Sequence, residues 1–329
     1  MVKVAINGFG RIGRLVYRAG HEDPDIEFVA INDLSSPEVL ANLLRYDSTH
    51  GKFSGKIETA KDALIVNDKS IKLFAEKDPA QLPWKELGID VVVESTGRFL
   101  TRELATKHLE AGAKKVLLSA DAKTPDIKTI IKGVNEHTYD VNKDHIVSNA
   151  SCTSNCSAPM VKVINDNFGI EHAFFTTTHA YTTTQKLQDM ADKNPRNARA
   201  AAINIIPHPS GAAIAVPRAI PDIEGIFDGI ALRVPIADGS ITVLTAVVKK
   251  QTNVKEINDL FKNVAKNHLK GVLEYSEEPF VSSDIVGNAH SCIVDAEFTK
   301  ANGKLIQVVG WYDNEWGYSC RMIDVLKIM

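Results

Sequence analysis

Val2-Lys3-Val4-Ala5-Ile6-Asn7-Gly8-Phe9-Gly10-Arg11-Ile12-Gly13 opens the chain. An apolar run leads directly into three glycines spaced as G-x-G-x-x-G, and a helical pattern over 12–20 follows. Glycines allow a tight turn and let backbone N–H groups approach a pyrophosphate, while the helix start supplies positive potential. A second apolar run, 26–31, leads into Asn32-Asp33. Asp33 stands twenty residues beyond Gly13, where a carboxylate accepts hydrogen bonds from ribose hydroxyls. Strand, loop, helix, strand and acid occur in the order a dinucleotide-binding unit requires. A carboxylate at 33 repels a 2′-phosphate, which favours NAD. Ser35 and Ser36, whose hydroxyls can bond a phosphate, keep NADP as the alternative.

The pattern continues outward from this unit. A helix is expected over 37–45 and another over 102–110, with short apolar runs at 63–66, 90–93, 116–118 and 146–147. Continuous Val/Ile/Leu runs alternating with helices predict a doubly wound, mostly parallel Rossmann-type sheet in an α/β unit. Beyond residue 150 the strand-like segments become longer and follow one another: 172–179, 228–250 with a break at Asp238-Gly239, 291–299 and 304–312. Asn302-Gly303 between the last two is a hairpin signal. One amphipathic helix is expected over 254–268. This half reads as an α+β domain with a mostly antiparallel sheet. The expected organisation is a dinucleotide-binding domain at 1–150, a catalytic domain at 151–317, and a helix at 318–329 that docks on the first domain.

Ser148-Asn149-Ala150-Ser151-Cys152-Thr153-Ser154-Asn155-Cys156 places a thiol at the junction between a strand and a helix. Unpaired N–H groups and the positive end of a helix dipole favour a thiolate there, and a thiolate is a nucleophile at neutral pH. His179 ends the run Ala173–Thr178 and offers an imidazole for proton transfer. Arg233 interrupts an apolar strand. A buried arginine is paired, either with an acid or with a phosphate. Ser210 precedes an apolar helix that it either caps or equips for an anion. Arg196 and Arg199 add positive charge in a loop. Cys156 reads as a packed small hydrophobe.

Composition narrows the field. Over 329 residues the formal charge is −3, giving no overall pull toward nucleic acid or an anionic membrane. No uncharged run reaches the ~20 residues of a membrane span, and the first residues carry no signal-peptide pattern. Four scattered cysteines with no CxxC pair argue against a disulfide framework and a structural zinc, so no metal is expected and a reducing cytoplasm fits.

Five segments carry a resemblance: 6–14, 148–153, 205–207, 233–235 and Trp311-Tyr312-Asp313-Asn314-Glu315-Trp316-Gly317-Tyr318. Along essentially its whole length the chain resembles phosphorylating glyceraldehyde-3-phosphate dehydrogenases. The resemblance implies NAD-dependent oxidation of D-glyceraldehyde 3-phosphate to 1,3-bisphosphoglycerate, through a thiohemiacetal and a thioester on Cys152 with His179 as acid–base partner. It implies that Gly8, Gly10, Arg11, Ile12, Gly13, Asp33, Lys77, Thr96, Ser119 and Asn314 hold the cofactor, Asn314 through the nicotinamide carboxamide. Ser151, Thr153, Thr182, Arg196, Arg199, Ser210, Gly211 and Arg233 would hold substrate and inorganic phosphate. Such proteins are cytoplasmic homotetramers. Erythrose-4-phosphate dehydrogenase and a non-catalytic, dinucleotide-binding redox sensor are the alternatives.

Overall fold

The structure, a computed structural model, describes all 329 residues. The chain divides into two compact units: residues 1–130, 137–150 and 319–329 form the first, and 131–136 with 151–318 form the second.

The first unit is built on a nine-stranded sheet. Its spatial order is Lys128–Thr129, Ile146–Ser148, Lys115–Leu118, Val91–Glu94, Val2–Asn7, Ile26–Asn32, Lys69–Phe74, Ala63–Val66 and Ile57–Ala60. All neighbours run parallel except at the last two pairings, which are antiparallel. Valine and isoleucine fill the central strands, and Val4, Ala5, Ile6, Val92 and Val93 are fully buried. The helices Arg11–Gly20 and Arg102–Glu110 connect strands of this sheet. From Val2–Asn7 the chain goes to Ile26–Asn32 on one side, while Val91–Glu94 pairs on the other. The strand order therefore reverses at Val2–Asn7, and a crevice opens at the carboxyl ends of such strands. The C-terminal helix, Trp316–Leu326, carries Ile323 against Gly20, where a Cβ would come within 2.6 Å of it.

The second unit carries a mixed sheet in the order Ile206–Pro209, Phe227–Val234, Ile170–Ala180, Ser240–Val248, Leu305–Tyr312, Cys292–Asp295 and Leu273–Ser276. Most pairings are antiparallel. Ile170–Ala180 with Phe227–Val234 is parallel, and so is Leu273–Ser276 with Cys292–Asp295. The long helix Cys152–Phe168 packs on this sheet. Side chains alternate along Ile170–Ala180: Ala173, Phe175, Thr177 and His179 are buried, whereas Phe174 is 67% exposed.

One expected element is corrected. Residues 291–299 do not form a single strand. Cys292–Asp295 ends where the Asp295 side chain accepts a hydrogen bond from the Glu297 N–H (3.2 Å), starting a 3₁₀ turn over Ala296–Phe298. A separate short strand, Lys300–Asn302, then pairs with Leu305–Tyr312. An Asp side chain that mimics a turn carbonyl competes with the ladder, and here it wins.

The helix Val254–Lys266 buries Ile257, Phe261 and Val264, and Asn253 caps it by accepting from the Glu256 N–H at 3.0 Å. Asn253→Ala removes that acceptor and is expected to cost about 1 kcal/mol of stability. The urea midpoint should fall while the rate of Cys152 alkylation stays at its wild-type value. An unchanged midpoint would show that the cap contributes nothing.

Candidate active site

Ile146–Ser148 is followed by a sharp turn in which Ala150 takes a left-handed conformation (φ +54°), strained for a residue with a Cβ. Ser151 caps the next helix by accepting from the Ser154 N–H at 3.3 Å, and Cys152 is that helix's first residue. The sulfur thus sits in the first turn, where unbonded N–H groups and the helix dipole favour negative charge.

His179 comes from the carboxyl end of Ile170–Ala180. In the parallel ladder it lies directly beside Arg233, at the end of the neighbouring strand. The Cys152 Sγ is 3.3 Å from His179 Nε2. His179 is 3% exposed, and the Tyr312 ring stands edge-on to it at 5.9 Å. Arg233 Nη1 lies 2.7 Å from His179 Nδ1 and 3.0 Å from the Ala180 carbonyl, while Nδ1 is itself 2.7 Å from that carbonyl. A guanidinium only donates and a carbonyl only accepts, so the tautomer decides which contact of Nδ1 is a bond. With the proton on Nε2, Nδ1 accepts from Arg233 and Nε2 donates to sulfur. With the proton on Nδ1, it bonds to Ala180 and Nε2 is a base aimed at sulfur. Burial, and then the positive charge of Arg233, lower the imidazole pKa from 6.5 to about 3. Burial also lowers the pKa of Arg233, and a negative Cys152 opposes that shift. The Arg233 Nε is buried without a hydrogen-bond partner. That leaves donor capacity for an anion.

The other expected anion-site residues have definite places. Ser151 Oγ is shared between the cap and Ser154 Oγ at 2.9 Å. The Thr153 hydroxyl meets Tyr312 OH at 3.0 Å, and Tyr312 OH also meets Thr177 at 2.7 Å. Thr182 donates to Gln185 Oε1 at 3.3 Å. Ser210 is not the cap of the following helix: Ala212–Ala219 starts from Gly211, although Ser210 Oγ accepts from the Ala212 N–H at 3.3 Å. Arg199 pairs with Asp189 at 2.9 Å on the surface, and Arg196 is exposed. Asn314 is 6% exposed. Ser240 Oγ accepts from the Ala180 N–H at 3.1 Å and donates to Asn314 Oδ1 at 2.6 Å. With that bond to its oxygen, the amide keeps Nδ2 as its donor.

A cavity of about 520 Å³ in the first unit lies at the carboxyl ends of its strands, lined by Gly8, Gly10, Asp33, Lys77 and Thr96, among others. The glycines divide the work. Gly8 has φ +92° and its turn rests on the Thr96 backbone, 2.8 Å from where a Cβ would be. A Cβ at Gly13 would sit 2.2 Å from the Gly8 carbonyl, whereas one at Gly10 meets nothing within 4 Å. The turn and the helix are tight at the outer glycines and open at the middle one, which is where a pyrophosphate approaches backbone. Asp33 accepts from the Phe9 N–H at 2.9 Å, tying the second strand's end to the loop. Arg11 reaches Asp47 at 2.7 Å, and Ser119 donates its N–H to the Glu94 carbonyl. Neither these two nor Ile12 and Gly13 are among the cavity's lining residues, whereas Asn7, Asn32, Leu34, Glu76, Arg98 and Phe99 are. Asn7 and Asn32 carry a usable signal in the sequence: both are polar residues at the last position of a buried strand.

Comparison with known proteins agrees over both units. Residues 2–102 match the family profile described as glyceraldehyde 3-phosphate dehydrogenase, NAD binding domain, and residues 151–314 match the corresponding C-terminal domain. The chain is 53% identical over 333 residues to a protein named glyceraldehyde-3-phosphate dehydrogenase from Thermotoga maritima, covering 100% of this chain and 99% of that one. It is 51% identical over 325 residues to the protein of that name from Geobacillus stearothermophilus, covering 98% and 97%.

Proposed function

The chain belongs to the glyceraldehyde-3-phosphate dehydrogenase family, and on that premise we propose how its residues oxidise and phosphorylate D-glyceraldehyde 3-phosphate with NAD. The observation that carries the reading is the contact of Cys152 Sγ with His179 Nε2 at 3.3 Å, at a helix start and beside an arginine.

Cys152 attacks the aldehyde carbon as a thiolate and forms a thiohemiacetal. Its negative charge before attack is balanced by the helix start and Arg233, because His179 at rest is neutral. His179 Nε2–H donates to the developing oxyanion. Once the oxyanion has gained a proton from solvent, the His179 tautomer that bonds Ala180 through Nδ1–H takes that proton up at Nε2 as the carbonyl re-forms. NAD, held by the glycine loop and Asp33, would supply the acceptor for the hydride that the carbon loses. Cys152 is left as a thioester, which inorganic phosphate cleaves to give 1,3-bisphosphoglycerate and the free sulfur.

Ser151, Thr153, Thr182, Ser210, Gly211 and Arg233 would hold the two phosphates, with Arg233 as the buried charge that no acid neutralises. Arg196 is the exposed loop cation that supports them, and Arg199 acts more weakly because Asp189 already meets it. The first unit would hold NAD: Gly8, Gly10 and Gly13 at the pyrophosphate, Asp33 at the ribose, Lys77 and Thr96 along the wall, and Arg11, Ile12 and Ser119 around it. Asn314 would donate to the nicotinamide carboxamide. Phe174, Ile203, Ile205 and Ile230 are apolar and exposed on the second unit, and a homotetramer of cytoplasmic copies would cover such surface. No helix is long and apolar enough to cross a membrane.

Absorbance of the reduced nicotinamide tests the reading. D-Glyceraldehyde 3-phosphate and NAD should give sustained reduction only when inorganic phosphate is present, and NADP should serve poorly. Faster turnover of erythrose 4-phosphate would reassign the substrate. No reduction with any aldehyde would end the reading in favour of a redox sensor.

A further inference from the structure

A fully buried carboxylate and imidazole lie behind the dinucleotide cavity, and the mechanism uses neither. Glu94 and His108 are both 0% exposed. The Trp84 indole N–H points at His108 Nδ1 at 3.1 Å. An indole nitrogen only donates, so Nδ1 is the acceptor and the imidazole proton is on Nε2. Nε2 then donates to Glu94 Oε2 at 3.0 Å. Asn7 Nδ2 donates to the same oxygen at 2.6 Å. The other oxygen, Oε1, accepts the Thr96 backbone N–H at 2.8 Å and the Thr96 hydroxyl. Four donors thus converge on one carboxylate. Beyond Asn7 the direction is locked as well. Asn7 Oδ1 accepts from Asn32 Nδ2 at 2.7 Å. Asn32 in turn bonds the Glu76 backbone through both amide atoms, Nδ2 to its carbonyl at 2.9 Å and Oδ1 from its N–H at 2.8 Å.

The two ends of this chain, an indole N–H and a peptide group, cannot reverse. Every link between them has one allowed orientation. Four of the linked residues, Asn7, Asn32, Glu76 and Thr96, line the cavity, and Gly8 turns against the Thr96 backbone.

We propose, resting on the dinucleotide reading of this cavity, that Glu94 and His108 are positioning residues for the cofactor, holding Thr96 and Asn7 in its wall through hydrogen bonds of fixed direction that converge on Glu94 from Trp84 on one side and from Asn32 on the other. Neither residue touches the cofactor. Replacing the carboxylate by a neutral amide, Glu94→Gln, exposes the logic. The introduced NH₂ group faces either the Thr96 N–H, which cannot become an acceptor, or the pair Asn7 and His108. His108 can accept there only by turning a proton toward the Trp84 N–H. Asn7 can accept only by turning its NH₂ toward that of Asn32. Each choice leaves opposed donors in a buried site, and the relief is to move Thr96 or Asn7.

The test is the dissociation constant of NAD for the full chain by calorimetry, with the rate of Cys152 alkylation by a neutral reagent and kcat at saturating NAD read alongside. Glu94→Gln should weaken NAD by about ten-fold or more. Alkylation and kcat should stay within about three-fold of wild type, because the chain of bonds does not reach Cys152. If Glu94→Gln does not fold, a second pair decides. His108→Gln keeps an acceptor for Trp84 and a donor for Glu94 and should bind NAD nearly as wild type does. His108→Leu removes both and should bind it about ten-fold more weakly. Unchanged NAD affinity in Glu94→Gln, equal loss in both His108 variants, or a parallel loss of affinity and Cys152 reactivity would overturn the proposal. A wild-type protein that bound no NAD would instead overturn the functional reading itself.

Discussion

Cys152→Ala should lose aldehyde oxidation by at least about 10⁴-fold while binding NAD as wild type does. The expected size follows from what the sulfur supplies. Without it there is no covalent intermediate, no thioester to keep the oxidation energy, and nothing for phosphate to attack. The helix is not expected to suffer. Ser151, not Cys152, is the cap, and alanine is a good helix former at the first position. The glycine loop and Asp33 belong to the other unit, so NAD affinity is an independent control for folding. Mass spectrometry after brief treatment with a neutral alkylating agent supplies a second control. Of the four thiols, Cys156 and Cys292 are buried, so a label that appears on Cys152 in wild type should vanish in the variant without moving to either of them. Burial also raises the Cys156 pKa, which suits a packed thiol and leaves it a poor nucleophile. A Cys152→Ala protein that reduced NAD at more than about one per cent of the wild-type rate would remove the sulfur from the mechanism.

The elements that can be read from sequence are those whose signal is local. The glycine spacing and the acid after the second strand depend on residues within thirty-three positions of the start, and the turn chemistry at Gly8 is dictated by backbone alone. The strand Ile206–Pro209 is hidden because prolines at 207 and 209 argue against a ladder. It exists because it lies at the sheet edge and pairs only with Phe227–Val234, where alternate N–H groups are not required. The 291–299 segment misleads because its apolar half is a strand and its turn is set by one aspartate side chain. Within the site, the nearness of Cys152 in sequence to Thr153 says little about where the threonine points. One residue along a helix is about 100° around it, and the Thr153 hydroxyl goes to Tyr312. The pairing of His179 with Arg233 depends on a parallel register across fifty-four residues, which no local pattern encodes. The Glu94–His108 network is illegible for the same reason.

His179→Asn should lower kcat by roughly 10²–10⁴-fold, the usual weight of a general acid–base group, with little change in NAD affinity. It should also change how the protein responds to acid, and the sign can be worked out. In the folded state the imidazole pKa is about 3, below its ordinary 6.5, because burial and the Arg233 charge disfavour a second proton. The unfolded chain therefore binds a proton at His179 over a range of pH in which the folded one does not. The stability held by a neutral His179 is complete above pH 6.5 and is lost as pH falls from there toward 3. An asparagine has no such proton. Between pH 7 and pH 5 the wild-type Tm should consequently drop further than that of His179→Asn, even if the variant starts lower. Arg233→Gln provides the cross-check. It removes the second cause of the lowered pKa and leaves the first, so the imidazole should become easier to protonate and the acid-induced drop in Tm smaller than in wild type. Thermal melts of the three proteins at the two pH values decide the matter. Equal drops in wild type and His179→Asn would show that the imidazole is not held neutral. The resting charge on Cys152 would then be balanced by an imidazolium rather than by Arg233.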